Sequence, residues 1–496
     1  GIELNDPYLG GFDWSTLATD GVERIEVVRG PFSALYGSNA LGGVVQLVTR
    51  RGGGDGTHLG DARLEGGSND YLRGGVGGGR RIGALAVDLS GHLRRGDGEI
   101  ANDFYDGEEV DLALDGALGD SATLGALLRW GASAVGIPYD YAGQPSLRRE
   151  QNFATTALAV PFAWTGARWH FDAQGARSVT DLEVRDPDDP FAASRAEAGR
   201  DQARAVVRRS LGDDLVATVG GDWDRQEVRT RDAFGPGVAD ESQRTWAAFG
   251  QLAWSHGPWR VDAGVRRDDN DVFGAETSAK AGVAWAVTEA WRLRATYGEA
   301  FRAPSLADLY YPGFSNPGLQ PESSRSYELA VEGGQGAWHT TLALFENDLD
   351  NLIEFDFVTF VPQNLGRARA RGIEGALAFR RGIVDTRLVA TWLDAENLDT
   401  GGPLLRRPDE SASLVVFARP AAWTIGGVLR HVGDRTDFGD VALAAYSTLD
   451  LSLAWRQGER WEPFVRVENV LDEEYEEAAG YPAPGVGFRA GIDLRF

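Results

Sequence analysis

The stretch VERIEVVRGPFSALYGSNALGGVVQLVTR (residues 22–50) decides the reading of this chain. Its two ends are rich in β-branched residues, as strands are. Between them, Arg29-Gly30-Pro31 breaks the first strand and a run of small residues carries the chain to the second. Glycine and proline punctuate in this way because one permits positive φ and the other removes a backbone donor. This strand–loop–strand unit stands close to the start of a 496-residue chain that has no methionine, even at position 1.

Working outward, the same alternation recurs to the last residue. GFRAGIDLRF (487–496) sets Phe488, Ala490, Ile492, Leu494 and Phe496 on one face and Arg489, Gly491, Asp493 and Arg495 on the other. TLDLSLAWR (448–456) sets Leu449, Leu451, Leu453 and Trp455 against Asp450, Ser452 and Arg456. WHTTLALFE (338–346) sets Trp338, Thr340, Leu342 and Leu344 against His339, Thr341 and Glu346. Side chains flip face at every strand residue, so one face meets an apolar medium and the other a wet one. No run of about 20 apolar residues suits a membrane helix. Alternating segments of about 10 residues suit a membrane-spanning β-barrel.

A soluble sandwich or propeller also alternates. Three features favour the barrel: charges recur on one parity within strands, where a dry core would not take them unpaired; aromatics gather at strand ends, as in WRLRATYGEAF (291–301); and the chain ends on an aromatic residue that completes a strand. No repeat of 40 to 50 residues supports a propeller.

Composition removes other classes. The net charge of −25 and pI near 4.7 argue against nucleic-acid binding, which needs a basic surface. Zero cysteines exclude disulfides and thiol chemistry. No signal peptide is visible at the N-terminus. GGVGGGRR (74–81) lacks the Lys-Ser/Thr ending of a phosphate loop, the six histidines are scattered, and no G-x-S-x-G elbow occurs. Nothing marks an enzyme. Acidic runs such as residues 94–111, 181–191, 266–278 and 434–440 read as solvated loops rich in turn residues.

The opening stretch, together with GIELNDPYLGGFDWSTLATD (1–20), resembles the plug signature of TonB-dependent outer-membrane receptors. Residues 297–334, 345–377 and 466–496 are similar to segments of that family's barrel, and LYYPGFSNPGLQPESS and EEYEEAAGYPAPG resemble its cobalamin-binding members. The resemblance implies an all-β fold: a 22-stranded antiparallel transmembrane barrel (residues 58–496) around a partial N-terminal plug (residues 1–57). That division allots about 20 residues to each strand and its connection, enough for a tilted span.

The function implied is TonB-driven import across the bacterial outer membrane by a monomer set in lipid. The cargo is a scarce, bulky metal chelate, cobalamin-like first and a ferric siderophore or haem second. A passive channel is the rival of another class. Family plugs are much longer, so the front half of the plug and its TonB-contacting segment are expected to lie outside this chain. A chain so cut should fold, leak, bind weakly and fail to transport.

The resemblance also nominates residues. Tyr8, Phe12, Trp14, Leu35, Tyr36, Ser38 and Asn39 are the apical ligand candidates, aromatics for apolar contact and Ser/Asn for orientation. The plainer reading of Leu35 and Tyr36 is plug-to-barrel packing. Arg29 and Arg51 of the plug, with Glu328 and Glu374 at lumen parity, are expected to form a plug–barrel ion-pair lock. No cofactor is required. Asp186, Asp188 and Asp189 lie where the resemblance places the calcium loop of cobalamin receptors; a solvated loop is the first reading of the triplet, and a structural calcium the second.

Overall fold

The computed structural model describes residues 2–17, 19, 21–51, 60–140, 143–189, 192–232, 241–311, 313–356 and 359–496. Twenty-two antiparallel strands close into a barrel. The first, Gly60–Gly67, pairs with the last, Gly487–Arg495, with Leu64 opposite Ile492. Closure leaves no strand edge, which is what a sheet in lipid requires.

The two rims differ. One carries tight connections such as Gly336-Ala337 and Gly382-Ile383, where the glycines adopt φ of 62° and 60°. The other carries long loops, among them 398–409, 433–445 and 469–486. In membrane barrels short turns face the periplasm and long loops the outside, which orients this one.

Parity sorts the wall as the alternation predicts. Trp338, Leu342 and Leu344 are exposed on the outer face, as are Leu451, Leu453 and Trp455. Aromatics stack above the short turns: Trp259 on Trp285 at 5.4 Å, Trp423 on Trp455 at 5.7 Å, and Trp338 against Phe379 at 4.4 Å. Tyr297 and Tyr327, 5.2 Å apart, mark the outer end of the apolar band. Indole and phenol rings suit both interfaces because each has an apolar body and a polar tip.

Glu346 corrects one assignment. It pairs with Tyr327 across the ladder, and therefore shares the outer face, above the apolar band rather than in the lumen. The acidic loops are also shorter than expected. Residues 104–111 continue the strand Phe104–Leu118, and 181–185 end the strand Trp169–Arg185. Strands run on into water because ion pairs such as Arg195–Asp181 replace apolar contacts there.

The quoted stretch lies inside the barrel as the hairpin of β1 (Val22–Arg29) and β2 (Gly43–Thr49), joined through the short helix α1 (Ser33–Tyr36). Helix α1 packs on three strands, Trp259–Asn270, Gly274–Ala286 and Trp291–Arg302. A second short helix, α2 (Leu306–Tyr310), sits in the extracellular loop after Arg302 and opens on a Ser305/Asp308 capping box. The expected boundary between residues 57 and 58 lies outside the described residues; β2 ends at Thr49 and the first barrel strand starts at Gly60.

Candidate functional site

Between plug and wall lies a cavity of about 1600 Å³. It runs from Ala303–Ser305 at the extracellular end to Gly60 and Arg495 at the periplasmic rim. Phe12, Trp14, Tyr36, Ser38 and Asn39 line it; Tyr8 and Leu35 do not.

The first apex is a turn over residues 6–11, closed by Asp6 N–H to Gly11 carbonyl and Gly10 N–H to Asp6 carbonyl, both 2.8 Å. It is fastened to the barrel. The Asp6 carboxylate accepts from Tyr8 N–H at 2.9 Å and from the Thr180 hydroxyl at 3.2 Å. Burial nevertheless pushes the Asp6 carboxyl above its ordinary range. Tyr8 is a core residue, packed with Ala196, Ala198, Val228 and Leu306, and its carbonyl accepts from Ala307 N–H at 2.9 Å. The ligand role expected of Tyr8 is thereby corrected. Leu9, which sequence reading passed over, is the exposed side chain of that turn. Phe12 and Trp14 meet edge to face at 5.0 Å, with Trp14 57% exposed.

The second apex is stitched to the outer end of the strand Trp291–Arg302. Ser38 Oγ accepts from Ala303 N–H at 2.9 Å, and Asn39 N–H donates to the Phe301 carbonyl at 3.2 Å. Asn39 takes φ of 71°, a left-handed conformation that asparagine tolerates. Gly37 is required twice over: its φ is 83°, and a Cβ there would lie 2.9 Å from Arg266 Nη2. Leu35 is half-buried and its carbonyl accepts from Arg204 Nη2 at 3.1 Å, so it serves plug-to-wall packing. Tyr36 stays exposed to the cavity.

The lock is assembled differently from expectation. Arg29 pairs with Glu374. Arg51 reaches Asp115 instead, at 3.7 Å, and Glu328 is held by Arg294 of the neighbouring strand at 2.9 Å. Arg294 and Glu328 lie two residues out of register on the same lumen face, within reach of each other without help from the plug.

The stronger fastening is of opposite polarity. Arg200 of the barrel is buried and grips Glu3 of the plug at 2.7 Å and Asp224 of the wall at 2.6 Å. Glu3 also accepts from Asn39 Nδ2 at 3.1 Å, so the two apices are joined. Arg266, buried behind Gly37, pairs with Asp222 and, at 2.9 Å, with Asp268. Nothing in one sequence separates a gripping arginine from a solvated one, and Arg266 falls in a run that reads as a solvated loop.

In the acidic triplet, Asp186 and Asp188 are engaged by groups of the protein itself. Asp188 is forked by Arg148, with Nε to Oδ2 at 2.9 Å, and that pairing holds its carboxyl below the ordinary range. Asp186 accepts from the Ser146 hydroxyl at 3.3 Å and Asp188 N–H at 3.0 Å. Among the described residues no three His, Cys, Asp or Glu side chains converge as a metal site. The Arg148 guanidinium supplies the positive charge beside Asp188.

Comparison with known proteins agrees with this architecture. Residues 46–470 match the family model for the TonB dependent receptor-like β-barrel, and residues 1–44 match that for the TonB-dependent receptor plug domain. The vitamin B12 transporter BtuB of Vibrio vulnificus is 26% identical over all of this chain and 83% of its own length. The Vibrio cholerae protein of that name is 27% identical, with the same coverage. Among solved structures, the siderophore receptor PirA of Acinetobacter baumannii superposes with a TM-score of 0.85 at 17% identity, covering all of this chain and 89% of that one. A variant of the ferric enterobactin receptor of Pseudomonas aeruginosa gives 0.86 at 19%, covering all of this chain and 90% of that one.

Proposed function

The chain belongs to the TonB-dependent receptor family of outer-membrane transporters, and from that premise we propose that its cargo is a bulky, cobalamin-like metal chelate. The observation that carries this reading is the cavity beneath the apices. It combines exposed aromatic faces at Trp14 and Tyr36, and the half-buried ring of Phe12, with a wall of amides and hydroxyls, Gln202, Gln226, Gln243, Thr245 and Asn270. A large chelate with an apolar face and a polar fringe meets both. Relatives named as vitamin B12 transporters match over the whole chain, which supports the same choice.

In this reading the barrel does no covalent chemistry. Cargo settles on the apices, Leu9 and Tyr36 among them, and displaces water from the aromatic faces. The energy for onward passage comes from the TonB system acting on the plug. The stitched second apex and the Arg200–Glu3 grip hold the binding face rigid until then.

Isothermal calorimetry of the detergent-solubilised chain against cyanocobalamin, haem and a ferric catecholate siderophore tests the choice. Cyanocobalamin should bind most tightly. Tight siderophore binding with no cobalamin signal overturns it.

A further inference from the structure

We propose that Gln243 is a specificity determinant that accepts a hydrogen bond from a carboxamide N–H on the cargo. The inference rests on the corrinoid reading above and goes further, to one residue and one functional group.

The observation is a one-way chain of amides on the cavity wall. Asp224 is a carboxylate and accepts only. Its Oδ2 takes Arg200 Nε at 2.6 Å and Gln202 Nε2 at 3.2 Å, and its Oδ1 takes Gln226 Nε2 at 2.9 Å. The NH₂ end of Gln226 is thereby fixed toward Asp224, so its oxygen faces the next residue. Gln226 Oε1 accepts from Gln243 Nε2 at 3.0 Å. The direction of every amide follows from the carboxylate at the root, which removes the usual ambiguity between amide oxygen and nitrogen.

The chain ends on an oxygen. Gln243 is 3% exposed, lines the cavity, and its Oε1 has no partner among the described residues. Buried acceptors are almost always satisfied, and an orphan in a native structure calls for an explanation. The neighbouring amide is turned toward other partners. Asn270 Nδ2 donates to the Thr245 hydroxyl at 2.8 Å, and Asn270 Oδ1 accepts from the backbone N–H groups of Val272 and Phe273. Among the described residues no donor bonds to this Gln243 oxygen, and a cargo N–H is the partner assigned to it.

The polarity selects among chelates. A corrinoid is fringed with primary carboxamides, each with two N–H donors, whereas catecholate and hydroxamate chelates present mostly oxygen acceptors. An acceptor-terminated chain favours the first and leaves the second facing an unpaired oxygen.

The test uses the whole chain in detergent. Cyanocobalamin affinity is measured for the parent and for Gln243→Met, which keeps length and removes the acceptor. A loss of about tenfold is expected, the usual weight of one buried hydrogen bond. The ligand side gives a second arm that needs no variant. Across cobalamin monocarboxylates, each with one amide converted to an acid, one regioisomer should lose about tenfold on the parent, and that loss should vanish in Gln243→Met. Unchanged affinity in Gln243→Met, or equal affinity across the regioisomers, overturns this inference alone. If the parent binds no cyanocobalamin at all, the corrinoid reading falls with it.

Discussion

Arg200 Nη2 lies 2.7 Å from Glu3 Oε2, so a buried guanidinium of the barrel wall holds a carboxylate of the plug. The same guanidinium holds Asp224 on its own wall, and Glu3 in turn holds Asn39 of the second apex. One side chain thus fixes both apices to the strand Ser194–Leu211. Arg200→Met should cost about 3 kcal/mol, because it leaves two carboxylates without their cation. Denaturant unfolding in lipid vesicles measures it, and a cost near zero refutes the role.

Arg29 should behave differently, although it too pairs across the plug–barrel boundary, with Glu374. Its side chain is 64% exposed, and solvent screens such a pair. Arg29→Ala is expected to cost less than about 1 kcal/mol in the same assay. A larger loss would restore this pair as the main lock.

Tyr8 and Trp14 should separate stability from binding. Tyr8 is buried against Ala196, Ala198 and Val228, so Tyr8→Ala opens a cavity and should destabilise by about 3 kcal/mol. Trp14 is exposed to the cavity, so Trp14→Ala should leave the unfolding midpoint in place and weaken cyanocobalamin binding severalfold. The reverse pattern in calorimetry and unfolding would exchange the two roles.

Calcium should make no difference. Arg148 already neutralises Asp188, and Asp186 is satisfied by Ser146 and the Asp188 amide. Cargo affinity in the presence of calcium and of a chelator should agree within error. A calcium-dependent gain, lost in Asp188→Asn, would show that the ion displaces the arginine.

Asp437 sets a pH dependence in the extracellular loops. Arg406 Nε at 2.7 Å, then the N–H groups of Ala479 and Phe438 at 2.8 Å each, hold its carboxyl down to about 2. The contacts join the loops 398–409, 433–445 and 469–486. A depressed folded pKa gives stability that is full above the unfolded value of 3.8 and lost as pH falls toward 2. Exchange protection of the Ala479 amide, corrected for the intrinsic rate, should hold from pH 7 to about 4 and fall below it. In Asp437→Asn the protection should be low throughout and flat with pH.

The sequence by itself determined the wall. A strand has a side-chain period of two, so the lipid-facing set Trp338, Leu342, Leu344 and the lumen-facing Glu328 and Glu374 follow from parity alone. Turn glycines such as Gly336 and Gly382 are equally local, since positive φ is a property of the residue. The plug hairpin was legible for the same reason. What only the tertiary structure decided is which groups meet across hundreds of residues. Glu3 finds Arg200, Tyr8 finds Val228, and Arg51 passes the glutamates by for Asp115. Parity says that a charge faces the lumen but not what stands opposite it there. That depends on barrel closure and on the seating of the plug, which no local period encodes. The direction of the amides from Asp224 to Gln243 is likewise fixed only when three strands stand side by side.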